Sequence, residues 1–159
     1  MNQIIYRQGD LFKNVGNTTA LVLSVNAQGA LFGPIAERFA QLFPSAIADY
    51  SALCLEYKAK RLSKALVGRS LLLGYPTEKQ RVYGLYSANR WGKYKDEGRL
   101  ILENTEASVR DLLRQIPASV AIHSSRINEE LMGIAWQDTA KAIERALASY
   151  PSHTWTVWE

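Results

Sequence analysis

An apolar run that breaks into a small-residue loop and restarts as a helix constrains this chain more than any other stretch. Residues 24–43 read SVNAQGALFGPIAERFAQLF. The preceding Ala20-Leu21-Val22-Leu23 is short and branched, as a buried strand is. Asn26, Gln28 and Gly29 then form a permissive loop. Gly33-Pro34 opens a helix, with Pro34 where its missing N–H costs nothing. Ile35, Phe39, Leu42 and Phe43 recur at helical spacing. Strand, loop and helix N-terminus in that order offer an anion free backbone N–H groups and the positive end of a helix dipole. The stretch is therefore predicted to form half of a nucleotide or phosphate site.

Strands alternate with helices along the rest of the chain. A first strand begins at Ile4-Ile5-Tyr6 and ends at Gly9-Asp10, and residues 11–19, with Gly16 and Asn17, read as a loop. Pro44 stops the Ile35 helix, and Ser45 is placed as the cap of a second one in which Ile47, Tyr50 and Cys54 share a face. Residues 66–73 read as a strand broken near Gly68, 75–78 as a turn and 81–86 as a strand. Asp96 precedes a helix over 99–115, Val120-Ala121-Ile122 is a short strand, residues 137–149 form the last helix and 154–158 the closing strand. This order predicts one domain over residues 1–159: an α/β fold, a three-layer α/β/α sandwich whose central strands run parallel within a mixed sheet. Ligands of such sheets sit beyond the carboxyl ends of the strands. The strand-to-helix loops 26–33, 87–95 and 123–133 are thus expected to converge on one cleft.

Composition narrows the chemistry. A chain of 159 residues can bury a real core, and a net charge of +4 favours anionic ligands without demanding a polyanion. The single cysteine, Cys54, excludes an internal disulfide and, with two histidines, argues against a transition-metal site. No apolar run approaches the roughly 18 residues of a membrane span. No signal peptide is read before Ile4, so a cytoplasmic protein without membrane contact is the expectation.

Taken together the segments resemble the macrodomain family, the ADP-ribose-binding fold. Tyr6-Arg7-Gln8-Gly9-Asp10-Leu11 is similar to the family's first strand and Gly-Asp pair. Residues 24–29 followed by Ile35-Ala36-Glu37-Arg38-Phe39 resemble its ribose-contacting loop and following helix. The resemblance is closest to the branch of ADP-ribose-1″-phosphate phosphatases. It rests there on Tyr83-Gly84-Leu85-Tyr86-Ser87, a Gly-Lys with a following acidic residue, Ile127-Asn128 leading to Gly133 and Trp136, and Trp155-Thr156-Val157-Trp158. It covers nearly the whole chain. It implies that Asp10 meets the adenine amino group with Leu11 beside it, that Asn26, Gln28, Gly29, Gly33 and Ile35 hold the terminal ribose, that Gly133 and its neighbours face the diphosphate and that Trp158 lines the adenine pocket. It implies no cofactor and no metal. The activity implied is hydrolysis of ADP-ribose-1″-phosphate, with Asp96 orienting or deprotonating water and Asn26 beside it. The alternative is a non-catalytic module that reads or sequesters an NAD-derived nucleotide or docks onto a protein partner.

This chain departs from the family where phosphate should approach. Leu31-Phe32-Gly33-Pro34 replaces a run of glycines, Gln28 replaces an asparagine, and Glu129-Glu130 replaces small residues. A carboxylate about 4 Å from a phosphate costs roughly 1 kcal/mol when water screens it and several when it does not. Leu23 stands where the branch can carry a histidine, and Ala88-Asn89-Arg90 offers no lysine for the covalent chemistry of a related branch.

Most candidates also have a bland reading. Asn26 either binds a ribose hydroxyl or holds its own loop, and Asp96 either serves as acid or base or caps the Arg99 helix. Ser87 and Asn128 either touch ligand or shape their loops. Trp91 either stacks on ligand or anchors its loop, and Lys93 and Lys95 either pair with phosphate or stay solvated. His123 reads as a structural histidine. The Lys58, Lys60, Arg61 and Lys64 face reads as solvated, which argues against nucleic acid.

Overall fold

The apolar run at residue 20 becomes the middle of a sheet. The computed structural model describes residues 3–14, 18–74, 80–130 and 132–159. Strand β2 (Thr19–Asn26) is buried along almost its whole length, as a strand covered on both faces must be. It pairs in parallel with β4 (Gln80–Ala88) on one side and β5 (Ala121–Ser124) on the other. Outward from β5 lie β6 (Trp155–Trp158) and β1 (Ile4–Arg7), both parallel, while β3 (Ser70–Leu73) pairs antiparallel with β4. The order is β1-β6-β5-β2-β4-β3, a mixed six-stranded sheet.

Side chains of β2 divide between two cores with the period of two that a strand imposes. Ala20 and Val22 join Val109 and Leu112 of α4 (Gly98–Gln115) and Ile143 and Leu147 of α5 (Trp136–Leu147). Leu21, Leu23 and Val25 join Phe39 of α2 (Pro34–Leu42) and Tyr50 and Cys54 of α3 (Pro44–Ala59). Helices thus cover both faces, giving the three-layer α/β/α sandwich read from the sequence. No helix among the described residues is long and apolar enough to cross a membrane.

Local differences have local causes. The expected loop after Asp10 opens as a short helix, α1 (Leu11–Asn14), because the Asp10 carboxylate accepts the Phe12 N–H at 2.9 Å. Ser45 is not the cap of α3, which starts at Pro44 without a side-chain cap. The strand expected over 66–73 is a 3₁₀ turn, Ser63–Leu66, followed by β3. Asp96 does not cap α4, whose N-cap is Glu97. Gly16, Asn17 and the 75–78 turn lie outside the described residues.

Candidate functional site

The carboxyl ends of β2, β4 and β5 bring the three predicted loops together, and side chains tie them. Gln28 Nε2 donates to Asn89 Oδ1 at 3.1 Å, Ser87 Oγ donates to Asn128 Oδ1 at 2.9 Å, and Lys95 Nζ donates to the Met132 carbonyl at 2.8 Å. Phe32 and Trp91 pack ring to ring, 4.8 Å between centroids.

Two adjoining hollows open at this rim, sharing Ile35 and Ser125. The wider, about 280 Å³, lies between Asp10, Leu11, Phe12, Arg38 and Trp158. The narrower, about 50 Å³, is walled by Leu23, Leu31, Phe32, Asn128 and Glu130. A third hollow, about 520 Å³, lies apart, among Lys64, Arg90, Tyr94, Asp96 and Asn104. The loop 87–95 therefore braces the first two hollows through Gln28, Asn128 and Phe32, while Asp96 and Arg90 face the third.

Asn26 is fully buried at the end of β2, and its side chain is spent on its own loop. Nδ2 donates to the Ala30 carbonyl at 2.7 Å, and Oδ1 accepts the N–H groups of Gln28 and Ala30 at 3.0 and 3.3 Å. Tyr50 donates its hydroxyl to the Asn26 carbonyl at 2.6 Å. Burial, with Cys54 and Tyr86 beside it, pushes the Tyr50 phenol far above its ordinary range, so it stays a neutral donor. Asn128, also buried, donates from Nδ2 to Thr105 and Thr139, and its backbone N–H reaches Ser24 Oγ. Its φ of 68° is a left-handed conformation asparagine tolerates.

Asp10 spends one oxygen on capping α1 and brings the other to 3.4 Å from the Arg38 guanidinium, which lies over the Phe12 ring. Trp158 donates Nε1–H to His123 Nδ1 at 2.9 Å and stacks on that ring. Burial, with Arg7 adding to it, lowers the His123 pKa, which keeps this acceptor lone pair available. The Asp96 carboxylate accepts the N–H groups of Asn89 and Arg90 at 2.7 and 3.3 Å, latching the loop that precedes it. Gly29, Gly33 and Gly133 all take positive φ. The Lys95 ammonium lies beside Gly133, and the Glu130 carboxylate lies against Gly33.

Arg38, Ser125 and the hydroxyl role of Tyr50 escaped the sequence reading. Only Arg38 left a signal there, as a charge on the cleft-side helix. No group of three or more metal-ligating side chains exists among the described residues.

No protein-family profile matches the chain. It is 28% identical to an ADP-ribose 1″-phosphate phosphatase of Chaetomium globosum over 89% of this chain and 83% of that one. It is 26% identical to the enzyme of the same name from Candida albicans, over 89% and 92%. Among solved structures it is similar to the macrodomain of Mycobacterium tuberculosis DarG, with a TM-score of 0.75 at 19% identity over 99% and 98% of the two chains. It is also similar to Thermosipho africanus DarTG in complex with ADP-ribose, with a TM-score of 0.69 at 16% identity over 97% of this chain and 41% of that one.

Proposed function

We propose, from a chain that has the macrodomain fold, that it binds ADP-ribose or a close derivative in the two joined hollows at the sheet rim. The supporting observation is their shape and place. They open beyond the carboxyl ends of β1, β6, β5 and β2, where such sheets take ligands. The wider one offers an aromatic wall in Trp158, a carboxylate in Asp10 and a cation in Arg38, fit for an adenosine. The narrower one leads past Ser125 to the loop that Asn26 folds. Asn26 and Asn128 act by holding those loops in shape. Ile35 and Trp158 supply surface to the ligand.

Hydrolysis of ADP-ribose-1″-phosphate extends this reading, and the names of the similar fungal proteins support it. Asp96 is its candidate for activating water. One observation favours the non-catalytic alternative: both Asp96 oxygens hold backbone N–H groups and face the separate third hollow. Isothermal titration with ADP-ribose tests the binding, which Asp10→Ala is expected to weaken. Phosphate release from ADP-ribose-1″-phosphate tests the chemistry. Turnover unchanged by Asp96→Ala removes Asp96 from the mechanism, and binding without turnover selects the module that only reads its ligand.

A further inference from the structure

The narrow hollow has an unusual charge balance for a phosphate-binding place. Helix α2 starts at its wall with Gly33 as N-cap and no side-chain cap; Pro34 has no N–H and that of Glu37 bonds the Gly33 carbonyl, so the N–H groups of Ile35 and Ala36 are the natural partners of an anion. A carboxylate from another loop already lies there: a Cβ built on Gly33 would collide with the Glu130 carboxylate. Glu130 is exposed and makes no hydrogen bond or ion pair among the described residues, so no side-chain cation neutralises it there. The cation on the same wall, Arg126, is already engaged, 2.6 Å from Glu159 and 3.8 Å from Glu129. Lys95, whose ammonium lies beside Gly133, is held by the Met132 carbonyl.

We infer that Glu130 is a specificity-determining residue, which sets the cleft against ligands carrying more negative charge at the α2 N-terminus. This rests on the ADP-ribose reading above. ADP-ribose brings two negative charges and must displace or tolerate the carboxylate. Its 1″-phosphate brings up to two more and meets a larger penalty. The cleft as it stands therefore prefers ADP-ribose to the phosphomonoester, an order suited to holding the dephosphorylated nucleotide.

Titration of wild type, Glu130→Gln and Glu130→Ala with both ligands tests this at two salt concentrations. Removing one screened like charge near 4 Å is expected to tighten ADP-ribose binding about fivefold, and the 1″-phosphate by a larger factor. The gain should shrink as salt rises, which loss of a merely steric contact would not do. Glu56→Gln removes the same charge from a surface pair with Lys60 outside the hollows, and should change neither affinity. Binding by wild type that Glu130→Gln and Glu130→Ala leave unchanged overturns the role of Glu130 and leaves the ADP-ribose reading standing. Absence of binding in wild type and in both variants overturns the ADP-ribose reading itself. Binding that appears only in the variants supports the charge penalty at Glu130 and overturns the ADP-ribose reading of the wild-type cleft.

Discussion

Two buried tyrosines, side by side under the cleft loop, should respond in opposite ways to loss of a single oxygen. The Tyr50 and Tyr86 rings lie 6.0 Å apart and both are fully buried. The Tyr50 hydroxyl donates to the Asn26 carbonyl at 2.6 Å, and among the contacts of the described residues the Cys54 thiol adds a weak one to it at 3.8 Å. The Tyr86 hydroxyl is buried without a hydrogen-bond partner among the described residues. Tyr50→Phe leaves a buried carbonyl nearly unsatisfied, which costs about 1–3 kcal/mol. For a domain of this size that is a fall in Tm of about 2–12 °C. Tyr86→Phe removes a polar group that had no partner, so its Tm should stay within about 2 °C of wild type or rise. Differential scanning fluorimetry reads both. Titration with ADP-ribose reads the second consequence, since Tyr50 holds the residue that folds the 26–33 loop, and only Tyr50→Phe should weaken binding. Equal losses in the two variants, or none in Tyr50→Phe, would refute the account of Asn26 as a node held from below.

Two further outcomes follow from the same geometry. His123 accepts the Trp158 N–H and has its pKa held below the usual 6.5, so the folded state disfavours the proton that the unfolded chain takes up. Its contribution is complete above that value and is lost as pH falls below it, so Tm should drop on acidification from 6.5, and the non-titrating acceptor of His123→Asn should flatten that limb. Gly33 sits at φ 102° and ψ 167°, a region essentially reserved for glycine, so Gly33→Ala should lose about 1–3 kcal/mol to backbone strain. A double variant with Glu130→Ala should recover only the smaller part due to collision with that flexible side chain, and full recovery in thermal melts would show that strain is not the cause.

Sequence legibility tracked how local the controlling physics was. β2 and the helices α4 and α5 were plain because burial on both faces, or on one stripe, writes itself into residue order. The helix at Leu11–Asn14 is not legible because four residues carry no period, and its one signal, Asp10 as cap, falls at the end of the first strand before residues that read as a loop. Asp96 illustrates the reverse error. An aspartate just before a helix reads as its cap, yet this one turns back to the N–H groups of Asn89 and Arg90, a choice made by the path of the loop. The meeting of the three loops was legible from the alternation of strands and helices. Which of their side chains are engaged within the protein was not, since that depends on partners such as Tyr50, Thr105 and Thr139, far away in the chain.

Asn26 and Asn128, which the sequence leaves open between ligand contact and loop shaping, are in the folded chain hydrogen-bonded centres of the loops at the sheet rim. Asn26 satisfies its donor and acceptor within residues 26–30, and Asn128 joins β2, β4, α4 and α5 through Ser24, Ser87, Thr105 and Thr139. A buried polar network of this kind is stable only when every member is satisfied, so removing one member releases several others. Loop shape at the rim is therefore coupled to the core on both faces of the sheet. Substituting either asparagine should lower stability and affinity together, whereas Glu130, exposed and inferred to act on the ligand through its charge, should change affinity alone. That separation of stability from affinity, more than loss of binding in itself, distinguishes residues that meet the nucleotide from those that hold its cradle.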